Sequence, residues 1–331
     1  MLLAFFGLPA LSALGLLVGA RSAMAADPGA AAYVGPAACL KCHGSTNGLP
    51  SMEEPSGARI GRSLPLSSQV LVKAFAVSAH SATLIDTRTS PEKIVADFGD
   101  TSPLQRNQIA FAIGAGRGEQ RYCDASLRML PHRWDARMKK WTGEPVVDAA
   151  KECLGCHATG FDATTRKWSS PGVTCEACHG LGSLHARDGD KTKIVNPRNL
   201  PLERQAMICG QCHSDGRDPA KVHPFPAGFR PGNDLTRHFV LAAQPRPGPK
   251  YSEMLRSKHA EMNVLCTDCH DPHGPVPGTK HHLLKPVNDL CGECHVEIVM
   301  GQHAPKAPAD ATCATCHMPG GSHQFKKPAK K

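Results

Sequence analysis

The feature that most constrains this chain is a five-residue pattern, Cys-x-x-Cys-His, that occurs seven times. Fourteen of the fifteen cysteines belong to these copies, which we number motif 1 to motif 7 in chain order. The copies are Cys39, Cys42 and His43; Cys153, Cys156 and His157; Cys175, Cys178 and His179; Cys209, Cys212 and His213; Cys266, Cys269 and His270; Cys291, Cys294 and His295; and Cys313, Cys316 and His317.

This pattern is the attachment signature of c-type haem. Two thiols bond to the vinyl groups of one porphyrin, and the histidine that follows becomes an axial ligand of the iron. Zinc bound by paired Cys-x-x-Cys units is the competing interpretation, but a four-cysteine zinc site does not need the histidine that follows every copy. Disulfides would leave one cysteine over. The sequence therefore predicts seven covalently bound haems c with the motif histidines as proximal ligands.

The N-terminus has the pattern of a secretory signal. An apolar run covers residues 2–20, Arg21 follows, and Ala23 to Ala25 forms an Ala-x-Ala cleavage site. We expect cleavage after Ala25 and export to the periplasm, which agrees with haem attachment outside the bacterial cytoplasm. An uncleaved membrane anchor is the alternative, and Pro9 and the glycines of the run argue against it. The cleavage site carries no cysteine for a lipid anchor.

The charge balance is basic, with 38 Lys and Arg against 29 Asp and Glu. Each haem brings two propionates, so the excess is explained by neutralisation of the cofactors and need not indicate a nucleic-acid partner.

The motif spacing predicts three segments after the signal peptide of residues 1–25. Residues 26–150 hold motif 1 and a small β-meander near 120–141, residues 151–235 hold motifs 2–4, and residues 236–331 hold motifs 5–7 and a basic tail. With 31 glycines and 28 prolines, the chain is expected to be mainly α-helical with much irregular loop, in a multihaem fold organised around stacked haems. A helix is predicted over residues 91–98 after the cap-like Ser90.

Cys123 is the cysteine outside the motifs. An inter-chain disulfide or a reactive thiol is possible for it. Its place in a predicted strand favours a buried small apolar residue.

Several runs resemble the cytochrome c-554 related family of multihaem c-type cytochromes, including its doubled Cys-x-x-Cys-His type. The matching runs are Ser78–His80, Gly116, Gln120–Tyr122, Leu130–Asp135, Cys153–Phe161, Gly172–His185, Asn196–Pro197, Phe229–Leu235 and 259–317. The resemblance implies periplasmic electron transfer. The departure is size, seven haems against four, so the partner of the type member, hydroxylamine oxidoreductase, cannot be carried over.

The sixth ligand of each iron separates an electron carrier from an enzyme. Eleven histidines lie outside the motifs, enough for seven irons. The resemblance points to His80, His185, His259, His303 and His323 as distal ligands. His273 and one of His281 and His282, with His282 preferred, complete a candidate set. His185 and His273 follow a motif so closely that we expect them to reach a neighbouring haem. His132, His223 and His238 stay unassigned.

Three functions are consistent with this set. The favoured one is a chain of low-potential bis-histidine haems that passes electrons between redox proteins, such as a membrane quinol dehydrogenase and periplasmic or outer-membrane cytochromes. Membrane association is compatible with this function but not required. The second is reduction or oxidation of a small nitrogen or sulfur species at one five-coordinate haem. The third is a subunit of an extracellular or outer-membrane electron conduit.

Overall fold

The computed structural model describes residues 30–44, 68–297 apart from 247, 275 and 277, and 307–326 apart from 309. Three predicted features lie outside these residues: the signal peptide, His303 and the end of the basic tail. The chain from Ala31 onward groups into one unit. Among the described helices, none is both long and apolar enough to cross a bilayer.

A five-stranded antiparallel sheet forms the largest regular element. Its strands follow each other in chain order as β1 Leu84–Asp86, β2 Phe111–Ile113, β3 Glu119–Cys123, β4 Met129–Asp135 and β5 Lys140–Gly143. The predicted meander corresponds to β3–β5, and two further strands extend it. Aspartates form the tight turns: Asp124 accepts from the amide of Ser126, and Asp135 accepts from that of Arg137.

The two faces of the sheet bury different side chains because successive strand residues point to opposite sides. One face packs Tyr122 and Trp134 into an aromatic cluster. The other packs Cys123 and Met129 against Leu154, which lies inside motif 2 and is fully buried. Burial of a leucine side chain contributes about 1.5–3 kcal/mol to stability. This second face therefore holds motif 2 in place.

The predicted helix over residues 91–98 is wrong. Only Pro91–Lys93 forms a single 3-10 turn, and the chain then runs extended. The buried side chain of Gln120 accepts a hydrogen bond from the amide of Val95 and donates one to the carbonyl of Lys93. Ile94 and Ala96 are buried while Val95 is exposed, a two-residue alternation that suits an extended segment beside a sheet.

The remaining described structure consists of short helices and loops. The helices are α1 Pro36–His43, α2 Ser68–Ala76, α3 Ala149–Glu152, α4 Leu154–His157, α5 Cys175–His179, α6 Ser183–Asp188, α7 Leu202–His213, α8 Lys250–Met254, α9 Lys258–Glu261, α10 Cys266–Cys269, α11 Val287–Gly292 and α12 Cys313–His317. Two small ribbons pair β6 Ala158–Thr159 with β7 Ser170–Pro171, and β8 Gly216–Arg217 with β9 Val240–Leu241. A mixed fold with much loop agrees with the prediction, although the sheet is larger than expected.

Candidate haem-binding centres

Every motif lies on or beside one turn of helix. In motif 5 the amide of His270 donates to the carbonyl of Cys266, and in motif 6 the amide of His295 donates to that of Cys291. Residues three apart lie on one side of a helix, so the two cysteines of a motif face the same way. This is the arrangement that two thioether bonds to one porphyrin require.

Five of the motif histidines face a histidine from outside the motifs. The distances between ring centroids are 6.4 Å for His43 and His185, 6.2 Å for His213 and His80, 6.3 Å for His179 and His273, 6.0 Å for His295 and His259, and 5.9 Å for His270 and His323.

These distances match two imidazoles on opposite sides of one metal ion. Two metal–nitrogen bonds of about 2 Å each, plus about 1.1 Å from each nitrogen to its ring centre, give about 6.2 Å. Each gap between paired rings therefore accommodates an iron. The residues present fit a six-coordinate haem at motifs 1, 3, 4, 5 and 6.

In several of these histidines the other ring nitrogen is held by a backbone carbonyl. Nδ1 lies 2.9 Å from the carbonyl of Val195 in His179, 2.9 Å from that of His281 in His270, and 3.0 Å from that of Asp190 in His185. Donation of Nδ1–H to a carbonyl fixes the tautomer that leaves Nε2 free for a metal. Five ring pairs and these backbone contacts thus point to the same ligand atoms.

Burial favours the neutral, iron-binding form of several of these imidazoles. It lowers the pKa of His80, His179 and His270, and burial together with the neighbouring His80 lowers the pKa of His213 to about 4. Neutral imidazole is the ligating species.

The motifs touch one another through their cysteines. The thiol pairs in contact are Cys39 with Cys175, Cys156 with Cys212, Cys209 with Cys266, and Cys291 with Cys313. In addition, the side chain of Gln211 in motif 4 donates to the carbonyl of Ala177 in motif 3 at 3.0 Å. Motif 1 therefore lies against motif 3, motif 4 against motifs 2, 3 and 5, and motif 6 against motif 7.

Motif 2 differs from the five paired motifs. The Nδ1 atom of His157 lies 3.1 Å from the carbonyl of Thr83, as expected for a proximal ligand. Burial lowers its pKa. In the part of the chain that the structure describes, no histidine ring faces His157. In motif 7, Nδ1 of His317 lies 3.1 Å from the carbonyl of Lys326.

The remaining predicted histidines have varied surroundings. The ring of His282 lies 5.7 Å from that of His80, so among the described residues it faces another distal candidate and not a motif histidine. Its Nε2 atom is buried without a hydrogen-bond partner in the protein. His281 contributes its carbonyl to His270, and the unassigned His223 stacks on Phe225. Ligation by each of these stays a prediction.

Cys123 lies in β3 with no exposed surface, as the sequence predicts. Burial raises the pKa of its thiol to about 12, so it is protonated at neutral pH.

Two residues that support the centres were missed by the sequence analysis. Thr83 orients His157 through its carbonyl, and Glu176 holds the segment before motif 1 through its carboxylate. The charged Glu176 is visible in the sequence, but Asp268 and Glu293 occupy comparable places in motifs 5 and 6, so the sequence does not mark Glu176 as the buried one. A backbone carbonyl such as that of Thr83 leaves no signal in the sequence.

Two family profiles match the chain. The profile described as "Doubled CXXCH motif" matches residues 259–300, and the one described as "Cytochrome c554 and c-prime" matches residues 125–180. The two regions contain motifs 5 and 6 and motifs 2 and 3, respectively.

Curated relatives are also haem proteins. The chain is 29% identical over 217 residues to the multiheme cytochrome MtrA of Shewanella baltica, covering 52% of this chain and 65% of that protein. It is 30% identical over 172 residues to the dissimilatory sulfite reductase MccA of Wolinella succinogenes, covering 45% of this chain and 22% of that protein. The chain thus spans less than two thirds of either relative.

Solved structures share the fold. The outer cell wall cytochrome OcwA superimposes with a TM-score of 0.66 at 21% identity, covering 89% of this chain and 79% of that one. An undecaheme cytochrome from the S-layer of Carboxydothermus ferrireducens superimposes with a TM-score of 0.55 at 20% identity, covering 89% of this chain and 52% of that one.

Proposed function

Since the chain is a multihaem c-type cytochrome, we propose that it holds seven haems c and transfers electrons between redox proteins. The observation that carries the proposal is the set of five facing histidine pairs at 5.9–6.4 Å. Two protein ligands on one iron leave no position for a substrate, so such centres suit electron transfer. When bound, the haems supply one-electron oxidation and reduction.

The contacts between motifs support a route for the electrons. Motifs 1, 3, 4, 5, 6 and 7 form a continuous series, because the cysteines of motifs 5 and 6 also lie near each other. Motif 2 joins this series at motif 4. Electrons would enter near one end of the series and leave near the other, with motif 2 as a side branch.

The ligand set favours low reduction potentials. Histidine is the distal partner in all five pairs, and the methionine ligand that raises potentials in small cytochromes c does not occupy these positions. Low-potential partners follow from this, such as a membrane quinol dehydrogenase as donor and periplasmic or outer-membrane cytochromes as acceptors.

The location belongs to the same proposal. The signal pattern ending at Ala25 supports export to the periplasm. OcwA, by its name, is an outer cell wall cytochrome, and the second structural neighbour comes from an S-layer. These names support a cell-surface or outer-membrane conduit as the variant to test beside the periplasmic carrier, by fractionation of cells that express the full chain.

Mass spectrometry and magnetic resonance test the function directly. The holoprotein should exceed its processed polypeptide by seven haem masses, and the ferric spectrum should show at least five low-spin irons. Replacing Cys153 and Cys156 by serine should remove one haem, whereas Cys123→Ala should remove none. A spectrum dominated by high-spin iron would contradict electron transfer as the main function.

One observation favours a second candidate function at motif 2. Of the described histidines, none faces His157, and His303 lies outside the described residues. An iron held there by His157 alone could bind a small molecule. We expect the ferrous protein to bind one carbon monoxide, and this binding should disappear when Cys153 and Cys156 are replaced. Absence of carbon monoxide binding in the intact holoprotein would rule this function out.

A further inference from the structure

Glu176 is a buried carboxylate inside motif 3. Its side chain is only 1% exposed, although charged residues are almost never fully buried unless they are paired. Each hydrogen bond it accepts comes from a backbone N–H. Oε1 accepts from Val34 at 3.0 Å and from Gly182 at 2.9 Å, and Oε2 accepts from Gly35 at 2.8 Å and from Val34 at 3.2 Å.

These bonds join two haem motifs. Val34 and Gly35 immediately precede α1, which carries motif 1, while Gly182 precedes α6, which carries His185. The same segment is held a second time, since the amide of Ser183 donates to the carbonyl of Ala32 at 3.1 Å. Glu176 thus fastens the chain before motif 1 onto motif 3.

The space around Glu176 is shaped for the carboxylate. A β-carbon at Gly182 would lie 3.2 Å from Oε1 and 3.3 Å from a methyl group of Val34. A carboxylate that accepts several N–H bonds and donates none is suited to the ionised form. The protein therefore keeps a negative charge in a site closed to water.

This charge lies near two haem attachment points. Cys39 of motif 1 and Cys175 of motif 3 are in contact with each other, and Glu176 acts electrostatically on both thiols. A buried negative charge opposes the addition of an electron nearby, because Coulomb interactions are weakly screened away from water. The net charge around an iron is one of the factors that set its reduction potential.

We propose that Glu176 is a positioning and tuning residue, which holds motif 1 against motif 3 and lowers the reduction potentials of the irons bound by His43 and His179. This inference rests on the proposed haem ligation at those two histidines. It also assigns the lower reduction potentials to one end of the series of motifs, the end that begins at motif 1.

The test is a redox titration of the full-length holoprotein, followed by paramagnetic NMR. The signals of the two irons are assigned by their loss in His185→Ala and His273→Ala. In Glu176→Gln the ferrous-to-ferric ratio of both irons at a fixed poise should rise about tenfold, the size expected for one charge at about 10 Å and an effective dielectric constant of about 20. The other irons should keep their potentials.

Glu293→Gln is the matched control, since Glu293 also lies inside a motif but forms an ion pair with Lys285. It should leave the irons of motifs 1 and 3 unchanged. Val34→Lys is a second test of the charge. Val34 is 37% exposed, so a lysine at this position can bring a cation to Glu176 while Glu176 itself stays unchanged. This variant should raise the same two potentials, and Val34→Leu should not.

Unchanged potentials in both Glu176→Gln and Val34→Lys, or an equal rise at every iron, would overturn the inference. If the Glu176→Gln protein does not acquire its haems, the potentials measured in Val34→Lys alone test the inference. The proposed function is tested by different measurements. It would fail if the mass of the holoprotein did not correspond to seven haems, or if the ferric protein had fewer low-spin irons than the five histidine pairs require.

Discussion

The ring of Phe225 lies directly over Gly155, so closely that a β-carbon on Gly155 would come within 2.1 Å of two ring atoms. Gly155 is the second variable residue of motif 2, and Phe225 is 3% exposed. His223 stacks on the ring of Phe225, with ring centroids 4.7 Å apart. A residue about 70 positions along the chain therefore covers the haem-attachment turn of motif 2.

Gly155→Ala should destabilise the protein because the added methyl group cannot fit beneath the ring. Overpacking of this kind costs about 1–3 kcal/mol in the free energy of unfolding. Guanidinium unfolding of the holoprotein measures the effect. The double variant Gly155→Ala with Phe225→Leu should recover part of the loss, and a single variant as stable as the wild type would contradict the packing described here.

Removal of a distal histidine should change the spin state of one iron. His185 faces His43 at 6.4 Å, so His185→Ala should convert the iron of motif 1 from low-spin to high-spin. Electron paramagnetic resonance of the ferric protein would show one low-spin signal fewer. His238→Ala is the control, because the ring of His238 contacts Phe229 and the carbonyl of Ala227 and should leave every signal in place.

Arg133 and Arg121 both pair with Glu144, whose side chain is 6% exposed, at 2.7 and 3.2 Å. Arg133→Met should lower the free energy of unfolding by about 1 kcal/mol, since it leaves a buried carboxylate with one partner in place of two. Arg88→Met is the control. Arg88 pairs with Asp86 but is 76% exposed, and loss of an exposed pair should have no measurable effect on the unfolding midpoint.

Asp148 begins α3, the helix before motif 2, and its hydrogen bonds to Arg166 hold the pKa of the carboxyl below its usual value of 3.8. A depressed pKa means that the folded state favours the ionised form, so this contribution to stability is present above about pH 4 and is lost as the pH falls through the folded pKa. Because the side chains of Arg166 and Asp148 are 44% and 40% exposed, solvent screens part of this interaction, and Asp148→Asn should be only slightly less stable than wild type at pH 7.

The difference between Asp148→Asn and wild type should shrink at about pH 3, where both side chains are uncharged in the unfolded chain. Denaturant midpoints at the two pH values measure it. A gap that widened in acid would show that Arg166 does not stabilise the ionised form of Asp148.

The sequence indicated which histidines come together better than it indicated the scaffold around them. Short links after motifs 3 and 5 indicated that His185 and His273 serve neighbouring motifs, and their rings face His43 and His179 in the structure. Such inferences depend only on chain connectivity and ligand chemistry.

Long-range packing could not be inferred in this way. The segment 91–98 has acceptable local signals for a helix, but the side chain of Gln120, more than 20 residues away, supplies the hydrogen bonds that keep it extended. Tertiary contacts of this kind override local preference. The pairing of motif 2 with motif 4 likewise depends on contacts between distant segments.

Three of the five facing histidines come later in the chain than the motif they face, and this constrains the order of assembly. His323 follows motif 7 but faces His270 of motif 5, and His185 follows motif 3 but faces His43 of motif 1. A haem bound at motif 1, 3 or 5 would therefore gain its second histidine only after a later stretch of the chain has been synthesised. The centre at motif 5 in particular depends on the C-terminal part of the chain, because loss of the last dozen described residues would remove the histidine that faces His270.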